Sequence, residues 1–214
     1  MFEKEPAASK PRRSPAVQRR GVERRRAILE AAEALLGEQG YEAATLKAIG
    51  DRAGIPIASV YHYFPDRHEV DAEIMRQHVR AMDALIAAAL DEAEPRNLRE
   101  AVDAVIDVLF DYFRRHRSCV ELWFARAHGT LDEIIRAFDE SQADLLWHLA
   151  IARKLLPLDT PQLVPRLAWV AGNQLFEVAF RTSPTGDDAV IDEARRLVTA
   201  YLSTYAPSPQ QERG

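Results

Sequence analysis

Between Thr45 and Arg67 the sequence TLKAIGDRAGIPIASVYHYFPDR leaves the backbone few choices. Thr45 can cap a helix through its hydroxyl. Leu46, Ile49 and Ala53 then recur on one face of a short helical pattern. Gly54 stands where a helix ends in the left-handed conformation, and Pro56 lacks the N–H needed to carry one on. A second short pattern begins near Ala58 and Ser59, turns Val60 and Phe64 inward, and closes at Pro65. Two short helices about a glycine turn make a helix-turn-helix, a unit whose second helix can enter a DNA major groove.

Charge is distributed in keeping with that reading. The chain of 214 residues carries a net charge of −5, which by itself disfavours a polyanion as partner. Residues 1–26, however, hold nine basic side chains against three acidic ones, and the acidic excess lies downstream. A basic end beside the helix-turn-helix is the electrostatic footprint of a DNA-binding face.

The remaining sequence is helical throughout. Residues 22–39 carry Ile28, Ala32, Leu35 and Leu36 on one stripe, and Gly40 is a natural stop. Asp66 with Glu69 starts a long pattern through Val70, Ile74, Met82, Ile86 and Leu90, ending before Pro95. At ~1.5 Å per residue it spans close to 40 Å, enough to connect two domains. Asn97 with Glu100, Ser118 with Glu121, and Thr130 with Glu133 read as three further helix starts. Thr160-Pro161 or Pro165 opens a helix reading LAWVAGNQLFEVAF, apolar nearly all round, and residues 187–205 form a final amphipathic one. The expected fold is all-α with about nine helices: a disordered basic tail (1–21), a helix-turn-helix domain (22–67), a larger helical domain (68–206) and a short disordered tail (207–214). The basic tail reads either as a solvated extension or as an arm adding DNA contacts.

The combination of Thr45, Leu46, Ile49, Ala53-Gly54-Ile55, Ser59-Val60-Tyr61, Tyr63-Phe64-Pro65 and Arg67 resembles the DNA-binding core of the TetR family of bacterial transcriptional regulators. Beyond about residue 75 the similarity is one of architecture. The resemblance implies that Thr45 holds a phosphate and that Pro56, Ile57, Ala58 and Ser59 approach base edges. It further implies that Tyr61 and Tyr63 donate hydroxyls to phosphates, that His62 reaches a base or a phosphate, and that Arg67 takes a slot usually held by lysine. Lys47 is a further backbone candidate. Tyr63 stands where many members have histidine, and Ile57-Ala58 where many have a polar residue and glycine. Ile57 and Ala58 suit a thymine methyl more than a bidentate base contact.

The resemblance also implies a small-molecule pocket in the larger domain and a homodimer. Aromatic and polar residues on its helices are the pocket candidates: Phe110, Trp123, Arg126, Trp147, Asn173 and Phe176. Their chemistry suits an apolar or aromatic ligand. A helix apolar on every side needs cover on every side, so the last two helices are the expected dimer contact, through Trp169, Gly172, Phe180, Leu197 and Tyr201. Dimerisation sets two recognition helices about one helical turn, ~34 Å, apart.

Other classes find little support. The histidines show no metal-ligand spacing, no glycine-rich phosphate loop occurs, and the single Cys119 reads as core. A lone cysteine also excludes an intramolecular disulfide framework. No apolar run approaches a membrane span, and no leader is visible, which makes the cytoplasm the expected location. The expectation is a DNA-binding transcriptional regulator without enzymatic activity, cofactor or metal, read as a repressor that a ligand releases from its operator. The competing reading is a helical sensor that does not bind DNA.

Overall fold

The computed structural model describes residues 15–125 and 129–207. Nine helices and no strand occur among them: α1 (Pro15–Gln39), α2 (Leu46–Ala53), α3 (Ile57–Tyr63), α4 (Arg67–Ala93), α5 (Leu98–Arg115), α6 (Arg117–Phe124), α7 (Thr130–Ala152), α8 (Leu163–Thr182) and α9 (Asp188–Ser203). The first helix starts seven residues before the stripe at Ile28 suggests, so residues 15–21 are helix rather than tail. The rest of the expected basic tail, residues 1–14, and residues 208–214 lie outside the described residues.

Side-chain caps place four of the nine helix starts. Thr45 Oγ1 accepts from Ala48 N at 3.2 Å, Asp66 Oδ1 from Glu69 N at 3.0 Å, and Asn97 Oδ1 from Glu100 N at 2.9 Å. Asp187 Oδ1 caps α9 through Ala189 N at 2.9 Å. Each satisfies a donor the helix itself cannot. Three starts differ from the sequence pattern. Neither His116 before α6 nor Gly129 before α7 makes a side-chain cap, and α8 begins at Leu163 without one. Ser118 does not cap because its hydroxyl points inward, to Glu33 and His78.

Two apolar clusters organise the packing. The first joins Ile28, Leu36, Ile49 and Val60 of α1–α3, with Phe64 just after α3, to Val70, Ile74 and Met75 from the start of α4. The second takes Met82, Ile86 and Leu90 from the rest of α4 and sets them against α5, α7, α8 and α9. A cut at residues 67/68 therefore passes through a packed layer, because α4 belongs to both clusters. Leu122 and Leu131 reach across to the first cluster, and Val79 and Trp123 pack against both.

Helix α8 divides its apolar surface in two. Trp169, Phe176 and Phe180 face inward and are buried. Leu163, Leu167, Val170 and Val178 face outward, 61%, 47%, 62% and 39% exposed. The aromatic ridge thus belongs to the protomer's own core, which corrects the assignment of Trp169 and Phe180 to a dimer contact.

Candidate DNA interface and effector cavity

The reading surface is built from the turn outward. Gly54 adopts φ 66° and ψ 28°, which only glycine takes without strain. Its N–H and that of Ile55 return to the carbonyls of Asp51 and Gly50, at 3.3 and 2.9 Å. Gly50 is the position where α2 and the turn come closest. A Cβ there would lie 2.9 Å from the Ile55 carbonyl oxygen and 3.2 Å from Val60 Cγ2. Nothing in the periodicity marks Gly50, since its role depends on a neighbour that folding brings.

With Val60 and Phe64 buried, α3 presents Ile57, Ala58, Tyr61 and His62 outward; Ser59 and Tyr63 are half-buried. Tyr61 is 54% exposed. The His62 and Tyr63 rings meet edge-on, centroids 5.3 Å apart. Exposed Pro56 opens α3, and its carbonyl accepts from Ser59 N at 2.7 Å. Thr45 and Lys47 are exposed on the adjoining α2. Because Thr45 Oγ1 uses a lone pair for Ala48 N, its O–H is left to donate outward.

Arg67 occupies a different position from the one the resemblance implies. Its Nε donates to Asp71 Oδ1 at 2.6 Å, Nη2 to the Tyr41 carbonyl at 3.3 Å, and Nη1 to the Ala44 carbonyl. Its guanidinium carbon lies 4.6 Å over the Tyr41 ring. Arg67 thereby fastens the α1–α2 loop to α4, and this corrects its reading as a phosphate ligand first of all. Arg24, Arg25 and Arg26 are exposed on α1. Arg25 lies 4.5 Å over the Phe64 ring and donates to Glu73 at 3.4 Å, so part of its charge is answered within the fold.

Inside the larger cluster α5, α7, α8 and α9 enclose an apolar cavity of about 80 Å³. Val105 and Leu109 form one wall, Leu146 and Leu149 another, and Trp169, Phe176 and Val198 the rest. Asn173 is its polar lining residue. The Asn173 Nδ2 and the Trp169 indole N–H both donate to Asp139 Oδ1, at 2.8 and 2.6 Å. Burial raises the Asp139 pKa above the usual carboxylate value, and those two donors pull it back.

Of the expected pocket residues, Asn173 and Phe176 line the cavity. Phe110 does not: it is buried beneath Gly186, with Arg114 stacked 3.8 Å over its ring. Trp123 fits edge-on between Phe113 and Phe138, centroids 5.4 and 5.6 Å away. Trp147 is turned to the α7–α8 loop, where its N–H donates to the Thr160 carbonyl at 2.9 Å. Arg126 lies outside the described residues. Gly172 lines the cavity too, facing Val198 Cγ2 at 3.6 Å from its Cβ position, instead of a partner. The aliphatic walls were missed because valine and leucine at helical spacing look like ordinary core. On α9, which packs on α8, Leu197 is 46% exposed and Tyr201 half-buried. No described helix is long and apolar enough to cross a membrane.

Comparison with known proteins agrees with this geometry. Residues 28–74 match the family described as bacterial regulatory proteins, tetR family, and residues 97–202 match the tetracyclin repressor-like C-terminal domain. The HTH-type transcriptional regulator BetI of Rhizobium meliloti (strain 1021) is 32% identical over 196 residues, 87% of this chain and 95% of that protein. The HTH-type transcriptional repressor KstR of Mycobacterium tuberculosis is 34% identical over 62 residues, 29% of this chain and 28% of that one. A TetR-family transcriptional regulator from Streptomyces coelicolor superposes with a TM-score of 0.65 at 28% identity, covering 85% of this chain and 99% of its own.

Proposed function

This chain belongs to the TetR family of bacterial regulatory proteins, and on that premise we propose that it is a homodimeric repressor released from its operator by a small apolar ligand. It is a helix-turn-helix transcriptional regulator. The observation that carries it is the course of α4. This helix bears Val70 and Ile74 under the reading helices and Met82 and Ile86 in the cluster that holds the cavity. A ligand that widens the cavity moves α5, which packs on α4, and α4 carries the displacement to α1, on which α2 and through it α3 pack.

Thr45, Lys47, Tyr61 and Tyr63 hold the phosphate backbone on either side of the groove in this reading. Pro56, Ile57, Ala58, Ser59 and His62 face the bases. The outward residues Leu163, Leu167, Val170 and Val178, with Leu197 and Tyr201, form the contact between two copies. The ligand must bind the DNA-incompetent state more tightly than the competent one, or no population shifts.

The test is binding to the gene's own upstream DNA across a salt series, with native chain, Lys47→Gln and Tyr61→Phe. Loss of the Lys47 charge lowers the log–log salt slope by about 0.9, whereas loss of the neutral Tyr61 hydroxyl lowers affinity and leaves the slope unchanged. Affinity that ignores salt, or no affinity, refutes DNA docking through this face and leaves the non-DNA-binding sensor. A thermal-shift screen of apolar compounds tests the cavity, and an Ala168→Leu variant that fills it should lose any stabilisation found.

A further inference from the structure

Three ligand-bearing side chains meet where the reading unit joins the larger cluster. Glu33 comes from α1, His78 from α4 and His116 from the α5–α6 junction, and one ligand atom of each lies within 4.8 Å of the others. His78 Nε2 is 3.8 Å from Glu33 Oε1. Ser118 Oγ sits between them, 3.2 Å from His78 Nε2 and donating to Glu33 Oε1 at 3.3 Å. On the other edge of the ring, His78 Nδ1 lies 2.9 Å from the Tyr112 hydroxyl. Tyr112 in turn stacks on His116, centroids 4.2 Å apart.

We propose that Glu33, His78 and His116 form a binding site for a divalent transition-metal ion of the zinc class, ligated by His78 Nε2, one His116 ring nitrogen and the Glu33 carboxylate. Two imidazoles and a carboxylate are a donor set that suits zinc, cobalt and nickel, with a fourth position left for water or Ser118. Ligands ~2.0–2.1 Å from such an ion lie closer together than the present spread, so the set must contract on binding. Glu33 and His116 are only half-buried, which leaves them room to close and the ion a route in. His78 is the fixed member, 4% exposed.

The surrounding groups supply the remaining requirement. A ligating histidine is usually oriented by a hydrogen bond from its other nitrogen, and Tyr112 is placed to accept one from Nδ1–H. Without metal the same atoms close as a hydrogen-bonded chain through Ser118. An ion held here ties α1 of the reading unit to α4 and to the α5–α6 corner. That makes the seam itself responsive to a metal, separately from the apolar cavity.

Cobalt(II) titration of the metal-free full chain tests the site without DNA. The expected result is one ion per chain, a visible band of tetrahedral intensity, displacement by Zn²⁺, and a melting temperature that rises with ion concentration. Glu33→Gln and His116→Gln, both at half-buried positions and checked for native helicity, should each weaken binding at least about tenfold, and Tyr112→Phe by roughly 10–100-fold. His148→Gln should bind as the native chain does. No cobalt binding by the native chain overturns the proposal, and so does binding that survives undiminished in both ligand variants. Neither result bears on operator binding, which the salt series reads independently.

Discussion

Arg67 and Asp71, one turn apart on α4, form an ion pair of 2.6 Å in which the carboxylate side chain is 1% exposed and the guanidinium 18%. The same guanidinium holds the Tyr41 and Ala44 carbonyls, so a single side chain joins α4 to the loop that precedes α2. Thr45, the cap that opens the helix-turn-helix, follows that loop directly. The pair therefore sets where the phosphate-facing groups stand instead of being one of them. Burial raises the Asp71 pKa while Arg67 lowers it, the two effects opposing each other.

Arg67→Ala should destabilise the fold by about 3 kcal/mol, because it leaves a buried carboxylate without its partner. For a chain of this size that lowers the melting temperature by roughly 6–12 °C. Calorimetry of the variant checks it, and a shift within 1–2 °C (about half a kcal/mol) would mean that the pair is dispensable. Loss of DNA binding in this variant would thus report on stability as much as on contact.

Gly50→Ala should cost about 1–3 kcal/mol by overpacking, since its Cβ meets the Ile55 carbonyl and Val60. Both neighbours position α3, so operator affinity should fall further than the unfolded fraction accounts for. Chemical denaturation alongside a DNA-binding titration separates the two effects. Equal losses in both would show that the methyl group costs stability but leaves the position of α3 unchanged.

Val170→Glu should convert the dimer to monomer and leave the protomer folded. Val170 is 62% exposed, so the charge stays in water until a second copy covers it. Light scattering reads the mass, and circular dichroism the fold. A variant that remains dimeric would place the contact away from the outer stripe of α8.

Asp139→Asn should gain stability relative to the native chain as pH rises through the carboxylate range. The folded pKa of Asp139 lies above its ordinary value of 3.8, chiefly through burial. Folding then favours the protonated form, and the native chain loses stability between the unfolded and the folded pKa. The amide keeps an oxygen for Trp169 and Asn173 but carries no charge to desolvate. Urea melts at pH 4 and pH 7 test the sign. A difference between variant and native that is the same at both pH values contradicts it.

Local chemistry carried much of the molecule. Gly54, Pro56 and the caps at Thr45, Asp66 and Asn97 act within a few residues of themselves, so the helix-turn-helix and the α4 and α5 starts were legible directly. The outward set on α3 was legible for the same reason, once Val60 and Phe64 were recognised as core. What tertiary structure decided involves partners distant in sequence. Arg67 became a tether because Tyr41 and Ala44 come to lie beneath it. Trp169 and Phe180 turned inward because the other helices of the larger cluster offered apolar partners on that side, leaving leucine and valine for the outside. Glu33, His78 and His116 showed no ligand spacing because they reach one point from three separate elements. Sequence periodicity tells which face of a helix is apolar, but only packing determines what that face meets.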